Sequence, residues 1–173
     1  LNTKDWAMDA VSHTRREIAN VPANKWWKAP WDLYKCVDAN RKTLGSPSEY
    51  EGEGLKFLKA TAALAEKKDC GNCREFSAST FMYLVNAGYL GSIEWAQYKD
   101  GDHAFVVLNR AETTDGGAPL TWGKDCWIAD SWGDRVVQAK DYWDDMPGFK
   151  VYAPRIRFRY TNLNRARLES ADA

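Results

Sequence analysis

The stretch Cys70-Gly71-Asn72-Cys73-Arg74-Glu75-Phe76-Ser77-Ala78-Ser79-Thr80-Phe81-Met82-Tyr83-Leu84-Val85-Asn86-Ala87-Gly88 decides how this chain is read. From Cys73 onward Phe76, Thr80, Phe81, Leu84 and Val85 recur at helical spacing, and Gly88 supplies a left-handed C-terminal cap. Cys73 therefore falls in the first turn of a helix, where unpaired backbone N–H groups offer partial positive charge to a sulfur. A thiol so placed can become a thiolate, and the same N–H groups can donate to the oxyanion of a tetrahedral intermediate. Gly71 lets backbone approach a substrate closely, and Asn72 tolerates unusual dihedrals or simply caps the helix.

Upstream, Leu55, Leu58, Ala62 and Ala65 mark an amphipathic helix that frays at Glu66-Lys67-Lys68, introduced by the turn chemistry of Gly45-Ser46-Pro47-Ser48-Glu49. Trp6, Met8, Val11 and Ile18 predict an N-terminal helix over residues 5 to 19, with Asp5 as its cap and Val21-Pro22 as its stop. Between them Trp26-Trp27-Lys28-Ala29-Pro30-Trp31 is too aromatic for a free linker and is expected to pack irregularly over the core. Downstream of Gly88 the pattern turns to β: Ile93 to Tyr98, Ala104 to Asn109, Thr121 to Asp130, Arg135 to Ala139, and a late strand alternating Arg155, Ile156, Arg157, Phe158, Arg159 and Tyr160. Asp115-Gly116-Gly117 reads as a turn between two of these strands, and the tail from Asn164 to Ala173 is polar and short of anchors. The expected class is α+β, with N-terminal helices packed on an antiparallel sheet.

The 173 residues, 45% hydrophobic and 13% aromatic, suffice for one domain with its own core. Lys+Arg and Asp+Glu are equal at 24 each, which removes the broad electrostatic case for a nucleic-acid or anionic-membrane partner. No apolar run is long enough to span a bilayer and no leader-like segment opens the chain, so a soluble domain is expected. Four cysteines (Cys36, Cys70, Cys73 and Cys126) are too few for a disulfide-built scaffold. The Cys70–Cys73 pair leaves three readings open besides catalysis: a redox pair, half of a zinc site completed from Cys36, Cys126, His13 or His103, or a bridge from Cys70 to Cys36 or Cys126.

Two later stretches complete a chemical pattern with Cys73. The only histidines are His13, on a helix beside Arg15 and Arg16, and His103, which opens the apolar strand Ala104-Phe105-Val106-Val107. His103 is the better general base, because the mouth of a strand can face a helix start. Asp130 ends the strand Trp127-Ile128-Ala129-Asp130 and precedes Ser131-Trp132-Gly133, where a carboxylate can fix the tautomer of His103 and stabilise its cation. Asp125 and Asp102 are substitutes for that third role. The plain alternatives are a structural histidine satisfied by Asp102 and an ordinary turn aspartate. Arg155, Arg157, Arg159, Arg165 and Arg167 read first as a solvated face.

Gly71-Asn72-Cys73, Asp102-His103-Ala104-Phe105-Val106-Val107 and Asp130-Ser131-Trp132-Gly133 together resemble the papain-like and transglutaminase-like superfamily, especially bacterial effector and toxin domains. The likeness covers about residues 69 to 138. It implies a single papain-like catalytic domain over 1–173, with residues 1–50 as a helical, aromatic extension and 69–162 as the catalytic core. It also implies thioester chemistry on an amide by a Cys73, His103, Asp130 triad without cofactor or metal, the family including glutamine deamidases, cysteine peptidases and transglutaminases. A narrow opening suits one glutamine side chain better than an extended peptide, which places deamidation ahead of cleavage, with Trp132, Trp127 and Trp95 as candidates for an aromatic rim. The expected partners are a protein substrate and an immunity or chaperone protein, and the expected location is outside the producing cell or inside a target cell, otherwise the cytoplasm.

In that resemblance Cys70 matches the position of a papain disulfide cysteine. Where the papain pattern carries an upstream glutamine as oxyanion donor, this chain has Lys67, so that role is unassigned, with Gln97 as a polar alternative. Outside enzymology, the aromatic N-terminal segment could dock a partner in a non-catalytic interaction domain, and a zinc-binding module is the third class.

Overall fold

The computed structural model describes residues 1–19 and 30–162. Helix α1 (Thr3–Glu17) is followed by α2 (Pro30–Leu44), α3 (Gly54–Lys68) and α4 (Cys73–Asn86). Five strands come next: β1 (Ser92–Tyr98), β2 (Ala104–Leu108), β3 (Trp127–Asp130), β4 (Arg135–Gln138) and β5 (Pro154–Thr161), with the single turn α5 (Tyr142–Asp145) before the last. The sheet is antiparallel throughout with the order β4-β3-β2-β1-β5, so β2 lies at its centre and all five of its residues are buried. The α+β class and the antiparallel sheet thus match the sequence reading.

Each face of the sheet carries its own core. On one side α1, α3 and α4 pack through Ala7, Ala10, Leu58, Ala62, Phe81 and Leu84 against Ile93, Trp95, Val106, Leu108 and Ala129 of the strands. On the other, Phe105, Val107, Ile128 and Val137 meet Trp122, Tyr142 and Met146 from the connecting segments. The alternation of β2, with Val106 and Leu108 on one side and Phe105 and Val107 on the other, follows the strand period of two. Emptying one such site, as in Phe81→Ala, costs about 3–5 kcal/mol.

Buried hydroxyls tie the layers together beneath the strand ends. The Thr14 hydroxyl on α1 lies 2.8 Å from that of Thr80 on α4, and Thr80 in turn hydrogen-bonds the Ser131 hydroxyl just past β3. Arg15 donates to the Ser131 carbonyl at 3.0 Å. Buried groups satisfied in this way fix how the end of β3 sits against α4.

The structure corrects several local expectations. The cap of α1 is Asn2, whose side chain accepts from the Asp5 N–H at 2.8 Å; Asp5 itself lies inside the first turn. Val21-Pro22 and the tail from Asn164 lie outside the described residues, as do Trp26, Trp27, Lys28 and Ala29. Pro30 opens α2 rather than breaking structure, in keeping with its fixed φ and missing N–H at a helix start, and Trp31 is 76% exposed. Thr121 closes a short 3-10 turn (Pro119–Thr121), and the strand begins only at Trp127. Gly88, at φ +81°, ends α4 as expected, with the Tyr89 N–H returning to the Leu84 carbonyl at 3.0 Å.

The arginines of β5 do not share one face. A bulge interrupts its pairing with β1 between Trp95 and Ala96, which face Phe158 and Ile156, so Arg157 is the extra residue. Phe158 packs among the helices and Ile156 in the opposite core. Arg159 reaches the buried Glu94 at 3.4 Å, whereas Arg157 donates to Gln97 Oε1 at 2.8 Å. Arg165 and Arg167 lie outside the described residues.

Candidate active site

Cys73 is the first residue of α4, and Asn72 before it is in extended conformation at φ −115°, ψ −161°. The first helical bond of this end runs from the Phe76 N–H to the Asn72 carbonyl, at 2.9 Å, so the N–H groups of Cys73 and Arg74 precede the helical ladder. Glu75 locks this turn: its carboxylate accepts from the Asn72 N–H at 2.9 Å and takes a two-pronged contact from Arg41 at 2.8 and 3.1 Å. Burial alone would raise the Glu75 pKa, but the Arg41 contact and the Asn72 N–H outweigh it and hold the carboxyl below its ordinary value. Arg41 comes from α2, and α2 is anchored again by a disulfide between Cys36 and Cys70.

That bridge settles the cysteine arithmetic. Cys70 is bonded to Cys36, so Cys70 and Cys73 are not a redox pair, and Cys126 is a buried free thiol whose pKa burial pushes up to about 12. Among the described residues no group of His, Cys, Asp and Glu is arranged to hold a metal ion. Cys73 is a free thiol, partly exposed.

His103 immediately precedes β2 and is 7% exposed. Its ring sits against Phe105 and Tyr98, with centroids 5.7 and 5.2 Å away. Nε2 lies 3.0 Å from Asp130 Oδ2, both atoms are sealed from solvent, and neither has a well-aligned hydrogen bond. The contact is therefore an ion pair whose N–H points off the line between the atoms. The Cys73 thiol is within hydrogen-bonding reach of the same imidazole, and with Nε2 turned to Asp130 the ring nitrogen left for it is Nδ1. Burial by itself would lower the His103 pKa; the close contacts with Asp130 and then Cys73, with the attraction of their charges, raise it to about 9. A pKa of about 9 favours the imidazolium at neutral pH, with the ring between the Asp130 carboxylate and the Cys73 sulfur.

Asp130, at the end of β3, is fully buried. Its Oδ1 accepts from the Gly133 N–H at 3.2 Å, while Oδ2 has Arg135 Nε at 4.0 Å besides His103. A Cβ on Gly133 would stand 2.8 Å from Oδ2 and 2.7 Å from Arg135 Nε, so only glycine fits this turn without displacing the carboxylate or the guanidinium. Thus the structure brings Cys73, His103 and Asp130 together from a helix start and two adjacent strand ends.

The other sequence candidates lie elsewhere. His13 stacks on Tyr83 with ring centroids 4.5 Å apart, and Tyr83 is about 15 Å along α4 from Cys73 by helical rise. Asp125 accepts from Thr3 and Asn109 beyond the opposite end of β3. Asp102 is exposed next to His103, which turns to Asp130 instead. Of the three expected rim tryptophans, Trp132 packs edge-on against Phe76, one turn from Cys73. Trp127 lies at the far end of β3 under Lys4, and Trp95 is buried, its indole N–H donating to Ser77 Oγ at 2.7 Å.

Two features were not legible from sequence. The Arg41–Glu75 clamp has no local signature, because its partners are on different helices. A cavity of about 440 Å³ lies between Tyr50, Gly54, Phe57, Trp95, Arg157 and Phe158. Trp95, which lines it, donates to Ser77, a residue one turn of α4 beyond Cys73. Gln97 stands on the same side of β1 as Trp95, paired with Ala104 beside His103. Because Arg157 holds Oε1, the amide nitrogen is the end left for a ligand. No family model, curated protein or solved structure matches this chain.

Proposed function

We propose that the protein is a thiol-dependent amide hydrolase or acyltransferase, and that its reaction is deamidation of a glutamine side chain in a protein substrate. The observation that carries this reading is the buried His103–Asp130 pair, 3.0 Å apart, with the thiol of a helix-starting Cys73 in reach of the same ring. Cys73 attacks the carboxamide carbon as thiolate, the oxyanion meets the Cys73 backbone N–H, and the Gln97 amide is the second donor. His103, cationic at neutral pH, gives its proton to the departing nitrogen; the C–N bond breaks, ammonia leaves and a thioester remains. Water then attacks the thioester while His103 takes its proton, the C–S bond breaks, and the glutamine has become glutamate. Asp130 keeps the ring oriented and its charge compensated through both steps.

Papain-like membership and use as a bacterial effector or toxin domain belong to the same proposal. The Cys36–Cys70 bridge supports passage through an oxidising compartment, and no described helix is long and apolar enough to cross a membrane. Incubation of the chain with candidate target proteins, followed by intact-mass and fragment analysis, tests the reaction. Exchange of one NH₂ for OH at a glutamine, absent with Cys73→Ala, is the expected result. Chain fragments would replace deamidation by proteolysis, amine adducts would replace it by transamidation, and no change with any target would remove the enzymatic reading.

A further inference from the structure

Between α2 and the start of α4 lies a second cavity, of about 340 Å³, bounded by Asp38, Arg41, Lys42, Gly45, Ser46 and Arg74. Its wall reaches the residue next to the nucleophile. Arg74 is partly buried, yet among the described residues its guanidinium makes no hydrogen bond and no ion pair. The charges that it senses are Arg41, Glu75, Cys73 and Asp102, and burial followed by the repulsion of Arg41 lowers its pKa. Arg41 is already neutralised by Glu75, at 2.8 and 3.1 Å. Asp38 and Lys42 are exposed on the same helix, and the Glu49 carboxylate accepts from the Ser46 N–H at 2.9 Å, so Arg74, next in sequence to Cys73, is the partly buried lining cation with no hydrogen-bonded anion among the described residues. A partly desolvated guanidinium with no hydrogen-bonded partner among the described residues gains from an incoming anion.

We propose that this cavity is an anion subsite, in which Arg74 receives a carboxylate of the protein substrate close in space to the amide attacked by Cys73. The inference rests on Cys73 being the nucleophile and adds the substrate class, an acidic environment around the target residue. With Glu49, Glu75 and Asp102 nearby, a singly charged carboxylate is repelled less than a phosphate dianion. Arg74 acts in binding and orientation, and the bond changes at Cys73 are those already described.

Two measurements test it without knowing the substrate. The first compares alkylation of Cys73 by iodoacetate, which carries a carboxylate, with alkylation by neutral iodoacetamide, both relative to glutathione. The iodoacetate-to-iodoacetamide ratio is expected to exceed that of glutathione by about fivefold or more, to fall with added salt, and to drop by at least half of that gain in Arg74→Gln. A ratio equal in wild type and Arg74→Gln overturns the subsite while leaving the nucleophile standing. Unreactivity toward both reagents overturns the nucleophile instead. The second measurement covers that case: titration with sodium acetate or inorganic phosphate at constant ionic strength, read by NMR at residues 41–46 and 74. Saturable shifts with acetate, lost in Arg74→Gln, support the subsite; phosphate binding tighter than acetate, or shifts that never saturate, overturns the carboxylate assignment.

Discussion

Asp130→Asn is the sharpest perturbation of this site, because it keeps the shape of the side chain and removes its charge. The ordinary histidine pKa of 6.5 is raised to about 9 at His103, and Asp130 supplies the largest of the raising contributions. At 1.36 kcal/mol per unit, that displacement corresponds to about 3 kcal/mol of preference for the protonated ring in the folded chain. Because the folded pKa lies above the unfolded one, this stabilisation is fully present below pH 6.5 and is lost as pH rises through about 9. Wild-type protein should therefore lose up to about 3 kcal/mol of unfolding free energy between pH 6.5 and 9.5, and Asp130→Asn should lose less than half of that. Urea unfolding across this range, with the disulfide intact, gives the free energies, and ring NMR gives the His103 midpoint directly. The chain has 2 histidines, so His13 provides the reference resonance. A His103 midpoint that stays near 6.5 in wild type, or an unchanged midpoint in Asp130→Asn, would refute the ion-pair account.

Gly133→Ala places a methyl group 2.8 Å from Asp130 Oδ2. It should cut the rate of Cys73 alkylation or turnover by about a hundredfold, the scale of a misplaced catalytic group, with an unaltered far-ultraviolet spectrum. Full activity in that variant would mean that the Asp130 position does not matter. Replacement of Cys36 and Cys70 together by serine opens a loop whose ends are 34 residues apart. It should lower the unfolding free energy by about 4 kcal/mol, and a change below about 1 kcal/mol would show that the Arg41–Glu75 clamp holds α2 alone.

The parts of this fold that were legible in sequence are those in which one local pattern dictates one outcome. The apolar spacing after Cys73 and Gly88 delimited α4, and alternation delimited β2, because each burial face is defined within its own element. The meeting of Cys73 with His103 and Asp130 was anticipated from residue chemistry and from strand ends that could face a helix start. What escaped was set by pairing between distant segments. The choice of Cys36 over Cys126 as partner of Cys70 depends on where α2 lies, and the bulge that re-aims Arg157 depends on the register between β5 and β1. The Trp-Pro pattern concealed α2 because proline disrupts a helix interior but suits its first residue.

The bulge in β5 gives this last strand two employers. Its outer half, Phe158 and Tyr160, belongs to the layer under the helices, whereas Ile156 belongs to the layer on the reverse side, and Arg157 marks the changeover. One segment near the end of the chain thereby stitches both hydrophobic layers to the central hairpin. Deleting Arg157 would make Ile156 and Phe158 neighbours facing Ala96 and Trp95 in unbroken alternation, so both would keep their sides and the strand would lose the Arg157–Gln97 contact. The one shortening that this edge strand can absorb thus falls on the residue that holds the Gln97 amide.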